Sequence, residues 1–308
     1  MSQTNSSGSG EVIDRTGVIA ALAAFTFWGV APIYFKGIQS VPPLEIIAHR
    51  IIWAVPLLVG FLWWRDGFSA FVQRMRLPKK TLAVLAFSGV LVGFNWLVFV
   101  YAVVNDQVLA TSLGYFINPL VNVLLGMLFL GERLNRLRWI AVVLAALGTS
   151  YLGIYLGQPP WLALTLAFSF GFYGLIRKRL GVGPMVGLLW ETLILLPLAV
   201  GYLIWHFNSG ELFFLHQNTQ TDVLLLLAGA VTILPLIGFN AAAQRLSLTV
   251  VGFFQYLAPS ISFLLAVLAF GEEFTHGHQV AFSLIWSALF LVSVVPVLQR
   301  RRALAAGA

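Results

Sequence analysis

Apolar runs of roughly 20 residues, each closed by a short polar or basic stretch, recur along the whole chain. A run of about that length spans the hydrocarbon core of a bilayer. The pattern predicts ten helices, the first five near 17–37, 43–64, 81–104, 108–130 and 138–156. The second five fall near 160–178, 184–206, 222–244, 249–270 and 278–298. Most connections are only a few residues long. The exceptions are a basic loop around 65–80 and a segment around 207–221 that carries Glu211 and His216. Neither is large enough to be a domain, so the expected fold is an all-α polytopic membrane protein. Its chemistry would take place within the bilayer or at its face.

Composition agrees with this reading. Hydrophobic residues make up 59% of the 308 and charged residues 9%, against about 45–50% and about 25% in soluble domains. The basic residues carry more information than the total. Threaded through ten spans, all 18 Lys and Arg except Lys36 and Arg50 fall on one side. Basic loops resist translocation, so both termini are expected in the cytoplasm of a bacterial inner membrane. The same distribution argues against nucleic acid as a partner despite a net charge of +7, because the cations sit in short loops between apolar spans. The absence of Cys excludes disulfides and thiolate metal sites. The run from Gly17 to Gly37 is too long for a signal-peptide core and reads as a retained helix. His276 and His278 form an H-x-H without further ligands, so no metal site is expected. Neither a P-loop nor an H-E-x-x-H motif is present, so ATP-driven transport by this chain alone and zinc proteolysis have no basis, and neither an enzyme nor a cofactor is expected.

The chain also repeats itself. Pro119 stands before Gly131-Glu132 as Pro259 stands before Gly271-Glu272, at an offset of 140. Ala24-Phe25-Thr26-Phe27 returns as Ala167-Phe168-Ser169-Phe170, and Arg50 stands to Pro56 as Glu191 stands to Pro197. Four segments follow: a polar tail (1–15), a first five-helix repeat (16–157), a second (158–299) and a basic tail (300–308). Five is odd, so the second copy would insert upside down. Inverted repeats support alternating access around a site shared between the halves near the midplane.

Charges inside a bilayer are costly and usually face a cavity or a partner. Glu45 and Glu191 lie inside predicted helices, and Glu45 shares a helical face with His49, next to Arg50. Arg50 is an expected anchor for an anionic or polar substrate, and Glu191 a proton site. The alternative for both is a structural ion pair. Pro119 and Pro259 are expected to kink helices four and nine, freeing the carbonyls of Tyr115 and Gln255. Asn118 and Tyr256 neighbour those kinks, and Asn95 and Trp96 lie near the middle of helix three. All are candidates for a small-molecule cavity, weighed against plain interhelical hydrogen bonding. Gly89 and Gly93 form a G-x-x-x-G, and Gly171 and Gly174 lie close together, as expected of helix contacts.

The segments FWGVAPIYFK (27–36), EIIAHRIIW (45–53), SLGYFINPLVNVLLGMLFLGER (112–133) and GFFQYLAPSISFLLAV (252–267) carry a resemblance. They are similar to EamA-like members of the drug/metabolite transporter superfamily, and within it to the RarD branch of "chloramphenicol-sensitive protein" permeases. The likeness covers roughly residues 15–300. It implies a ten-helix inner-membrane permease exporting small molecules by secondary transport, and the branch name implies a link to chloramphenicol. Combined with Arg50 and Glu191, the first expectation is proton-coupled export of small amphipathic or zwitterionic compounds. The alternatives are an exchanger or facilitator that needs no proton, and a membrane scaffold that does not transport.

Overall fold

The structure is a computed structural model that describes residues 14–131, 136–157, 159–246, 251 and 254–293. The regular elements among the described residues are all helices, with no strand. The helices are α1 (Arg15–Lys36), α2 (Pro43–Asp66), α3 (Phe68–Met75), α4 (Lys79–Val104), α5 (Val108–Leu130) and α6 (Arg136–Tyr155). They continue with α7 (Trp161–Leu180), α8 (Pro184–Ser209), α9 (Thr219–Ala243), α10 (Leu257–Leu264) and α11 (His276–Ser293). Six of them, α1, α2, α4, α5, α8 and α9, contain a stretch long and apolar enough to cross a membrane. At 24 residues α2 is about 36 Å long at 1.5 Å per residue, and the hydrocarbon core is about 30 Å thick. Trp139–Tyr155 and Leu257–Ala269 are shorter apolar helices. The tails at 1–13 and 294–308, with the basic triplet Arg300, Arg301 and Arg302, lie outside the described residues, as does Glu132 of the first Gly-Glu pair.

The ends of the helices follow from local chemistry. Pro43 and Pro184 open α2 and α8, where a missing N–H costs nothing. The Asn218 side chain accepts from the Thr221 N–H at 2.8 Å and caps α9. Gly131 ends α5 with φ of 68°, a left-handed conformation that a side chain would strain.

Two expectations need correction. The stretch around 65–80 is more than a loop: it holds α3, none of whose residues is buried. Its basic residues hid a short amphipathic helix, and the Arg74 and Arg65 guanidinia both bond Asp66 at the end of α2. The predicted helix at 249–270 is broken rather than kinked. A turn at Gln255-Tyr256 precedes α10, and a π-helical stretch, Leu265–Ala269, follows it. Pro259 is therefore in the first turn of α10, where the helix tolerates a residue without an N–H. Pro119, in contrast, lies inside α5, which continues on both sides of it.

The main packing partners are α6 with α11, α5 with α7, α1 with α9 and α10, α2 with α8 and α9, and α4 with α7 and α8. Glycines make the closest crossings. A Cβ on Gly89 of α4 would lie 3.3 Å from the Glu191 Cα and carbonyl oxygen on α8. A Cβ on Gly229 of α9 would run into the backbone of Trp53 on α2. Gly29 faces Ile261 on α10, and Gly171 faces Val121 on α5. Gly93 faces Leu195, whereas Gly174 faces open space. Large apolar side chains such as Trp64, Ile154, Leu198 and Leu268 point outward, a surface suited to lipid.

Candidate functional site

Two buried charges on neighbouring helices organise the interior. Arg50 on α2 is 8% exposed, and its Nε donates to the Thr232 hydroxyl on α9 at 3.0 Å. The guanidinium carbon stands 4.8 Å from the centre of the Trp96 ring and 5.4 Å from that of Phe35. Such aromatic faces attract a cation but do not neutralise it. One terminal nitrogen, Nη1, is buried without a hydrogen-bond partner. The ionisable groups acting on Arg50 are the phenols of Tyr34 and Tyr115. Among the described residues no carboxylate pairs with it.

Glu191 on α8 is 1% exposed and fully engaged. Ser88 of α4 donates to one oxygen at 2.6 Å and Tyr173 of α7 to the other at 3.1 Å. Arg177 of α7 brings its Nε to 3.7 Å from Glu191 Oε1. The Arg177 guanidinium lies directly over the Cα of Gly187, where any Cβ would overlap it. It also reaches the carbonyls of Val182, Gly183 and Pro184 at 3.3–3.4 Å. Arg50 and Glu191 thus have separate partners and form no ion pair with each other.

Aromatic rings join the two charges. Phe35, against Arg50, stands edge-on to Phe99 at 5.7 Å, and Phe99 lies 5.9 Å from Tyr115. The file continues to Phe170 at 6.3 Å and on to Tyr173 at 5.9 Å, whose hydroxyl bonds Glu191.

The other predicted residues fall around this file. Glu45 is fully buried and accepts N–H bonds from Phe213 and Phe214 at 2.9–3.2 Å, fastening the segment after α8. His49 accepts from the Trp53 indole at 3.0 Å and packs on Phe214, with its Nε2 buried and unpartnered. Asn95 donates to the Leu166 carbonyl and the Ser169 hydroxyl, and Asn118 to the Ala167 carbonyl, so both tie their helices to α7. Gln255 is exposed at the break before α10. The Tyr256 carbonyl accepts from Ser260, and the Pro259 carbonyl from Ser112 on α5. The structure therefore gathers Arg50, Trp96 and Tyr115 into one cluster with Tyr34 and Phe35. Glu45 bonds the segment after α8, and Asn95 and Asn118 bond α7.

Glu272, from the second Gly-Glu pair, accepts from the N–H groups of Val108 and Leu109 at 2.6 and 2.8 Å, capping α5. Burial pushes its carboxyl above the usual range, opposed by those N–H bonds and by Lys36. Lys36 in turn pairs with Asp106.

Sequence reasoning missed Ser88, Tyr173, Arg177 and Thr232. A usable signal lay in the glycines: Ser88 adjoins Gly89, and Thr232 is one turn beyond Gly229 on the helix that crosses α2.

Known proteins resemble this chain along most of its length. Residues 15–154 match the model of the EamA-like transporter family. An "Uncharacterized transporter" of Vibrio cholerae is 46% identical over 91% of this chain and 92% of its own. "Protein RarD" of Escherichia coli K12 is 45% identical over 94% of this chain and 97% of its own. The "Chloramphenicol-sensitive protein RarD" of Pseudomonas aeruginosa is 30% identical over 91% and 94%. A solved crystal structure superposes with a TM-score of 0.61 at 16% identity, covering 91% of this chain and 98% of that one, a likeness of fold. With buried charges set among membrane-length helices and relatives of this similarity, the chain is a multi-pass membrane protein of the EamA-like transporter family, related to the RarD proteins.

Proposed function

We propose that the protein is an inner-membrane secondary transporter that exports small drug-like or metabolite molecules by alternating access, with Arg50 binding cargo and Glu191 carrying a proton. The observation that carries this reading is the placement of the two charges. Arg50 on α2 is bonded across to Thr232 on α9, and Glu191 on α8 is bonded across to Ser88 on α4. Exchanging the first five long helices for the last five turns one crossing into the other. Gly229 and Gly89, which make these crossings close, are separated by the same 140 positions as Pro259 and Pro119. The contacts of Gly29 with Ile261 and of Gly171 with Val121 are related in the same way. This correspondence supports ten spans arranged as two inverted repeats, and such repeats rock about a shared central site. With an odd repeat and the basic loops on one side, both termini are cytoplasmic.

The test uses everted membrane vesicles with an acid interior and a pH-sensitive dye. Chloramphenicol-like drugs, amino acids and small organic acids are added in turn to wild type and to Glu191→Gln. Substrate-dependent loss of the gradient in wild type alone is the expected result. An equal response in Glu191→Gln removes the proton role. A second reading, an exchanger needing no proton, is favoured by Arg177, which gives the Glu191 carboxylate a standing cationic partner at 3.7 Å.

A further inference from the structure

The cluster around Arg50 lacks one component that electrostatics demands. A cation buried at membrane depth costs several kcal/mol unless a counter-charge compensates it. Arg177 has Glu191 at 3.7 Å and Lys36 has Asp106. Arg50 is as buried as any of these, yet among the described residues it receives one hydroxyl, two aromatic faces and no anion. Its Nη1 is left without an acceptor. The Tyr34 hydroxyl is committed to the Leu224 carbonyl at 2.6 Å and is neutral at physiological pH.

Resting on the reading of this cluster as the cargo site, we infer that the transported molecule is an organic monoanion, a carboxylate bearing an aromatic or comparably apolar body. The carboxylate pairs with the free edge of the Arg50 guanidinium. The body lies along the Phe99, Tyr115 and Phe170 rings. The class follows from three constraints. The guanidinium presents planar, paired donors, the geometry that fits a two-oxygen acceptor. One unpaired cation neutralises one negative charge, so a phosphate dianion would bring in a second, uncompensated charge. The way onward from Arg50 is aromatic as far as Tyr173, so it offers stacking surface and few hydrogen bonds to a sugar or a peptide. A neutral drug would leave the guanidinium unpaired.

The experiment follows thermal unfolding of the purified full chain in nanodiscs of zwitterionic phosphatidylcholine. The ligands are the acids from benzoate to 4-phenylbutyrate, their neutral amides, and phenyl phosphate. The acids should raise the unfolding temperature saturably, with the matching amides and phenyl phosphate weaker by about tenfold or more. Arg50→Gln should abolish the response to acids. Arg50→Lys, which keeps the charge and loses the fork, should weaken it by about tenfold. Thr232→Val leaves Arg50 in place and serves if the Arg50 variants fail to fold; it should weaken acids several-fold and leave amides unchanged. Equal binding of acid and amide, tighter binding of phenyl phosphate, or undiminished acid binding by Arg50→Gln would overturn the inference. So would silence of every acid at about 10 mM, a concentration that reaches even millimolar affinities. Counterflow in proteoliposomes separates this inference from the transport reading. Acid binding without exchange removes transport and leaves the ligand class. Exchange of amides independent of Arg50 removes the ligand class and leaves transport.

Discussion

Arg50 and Glu191 are both buried charges on paired, membrane-length helices, yet the protein treats them differently. Glu191 has all it needs: two hydroxyls on separate oxygens and a guanidinium that rests on the bare Cα of Gly187. Arg50 is held in position by Thr232 and two rings, with no anion beside it among the described residues. A satisfied charge can serve as a lock that a proton opens. An unsatisfied one is a stored cost that a ligand repays, and strain of this kind concentrates at functional sites. The contrast teaches that depth and burial alone do not separate structural from functional charges; their partners do.

The largest expected effect strips the satisfied side of its cation. Arg177→Gln leaves the Glu191 carboxylate buried without a counter-charge and should cost about 3–5 kcal/mol, read as a shifted unfolding midpoint in mixed micelles. A loss below about 1 kcal/mol would mean that the hydroxyls suffice and the pairing adds little. Gly187→Ala approaches the same contact without touching either charge: its Cβ takes the space under the guanidinium and should cost about 2–3 kcal/mol. Combined with Arg177→Gln it should be far less than additive, since both remove one interaction. The two glycine crossings sharpen the comparison further. Gly229→Ala drives a methyl into the Trp53 backbone and should cost about 2–3 kcal/mol, while Gly89→Ala, whose Cβ would press the Glu191 backbone at a tight 3.3 Å, should cost about 1 kcal/mol. The smallest effect belongs to the unsatisfied side. Arg50→Gln should cost no more than about 1 kcal/mol of stability, because the cation it removes was never paired and its burial is itself a cost. A loss above about 3 kcal/mol would make Arg50 a structural residue.

Much of this frame was legible in the chain. Apolar runs placed helices within a few residues, because length and hydropathy are local properties. The exceptions have local causes too: α3 is masked by Arg74 and its basic neighbours, and the chain breaks at Gln255-Tyr256 where Pro259 was expected only to kink it. Arg50 and Glu191 stood out because a charge in an apolar run is conspicuous. Their partners did not, since which hydroxyl meets which charge depends on how two helices cross. Arg177 was counted with Lys178 and Arg179 as a loop cation, although its side chain turns back along α7 to Glu191. Glu45, beside His49 and Arg50 in sequence, proved to clasp the backbone of Phe213 and Phe214.

The division of labour between the two charges is tested most directly by transport in proteoliposomes of one aromatic carboxylate. Both downhill exchange and uphill movement against a proton gradient are measured, for Arg50→Gln and Glu191→Gln. The account predicts that Glu191→Gln retains exchange and loses uphill transport, while Arg50→Gln loses both. Uphill transport by Glu191→Gln at the wild-type rate, or exchange by Arg50→Gln, would contradict it.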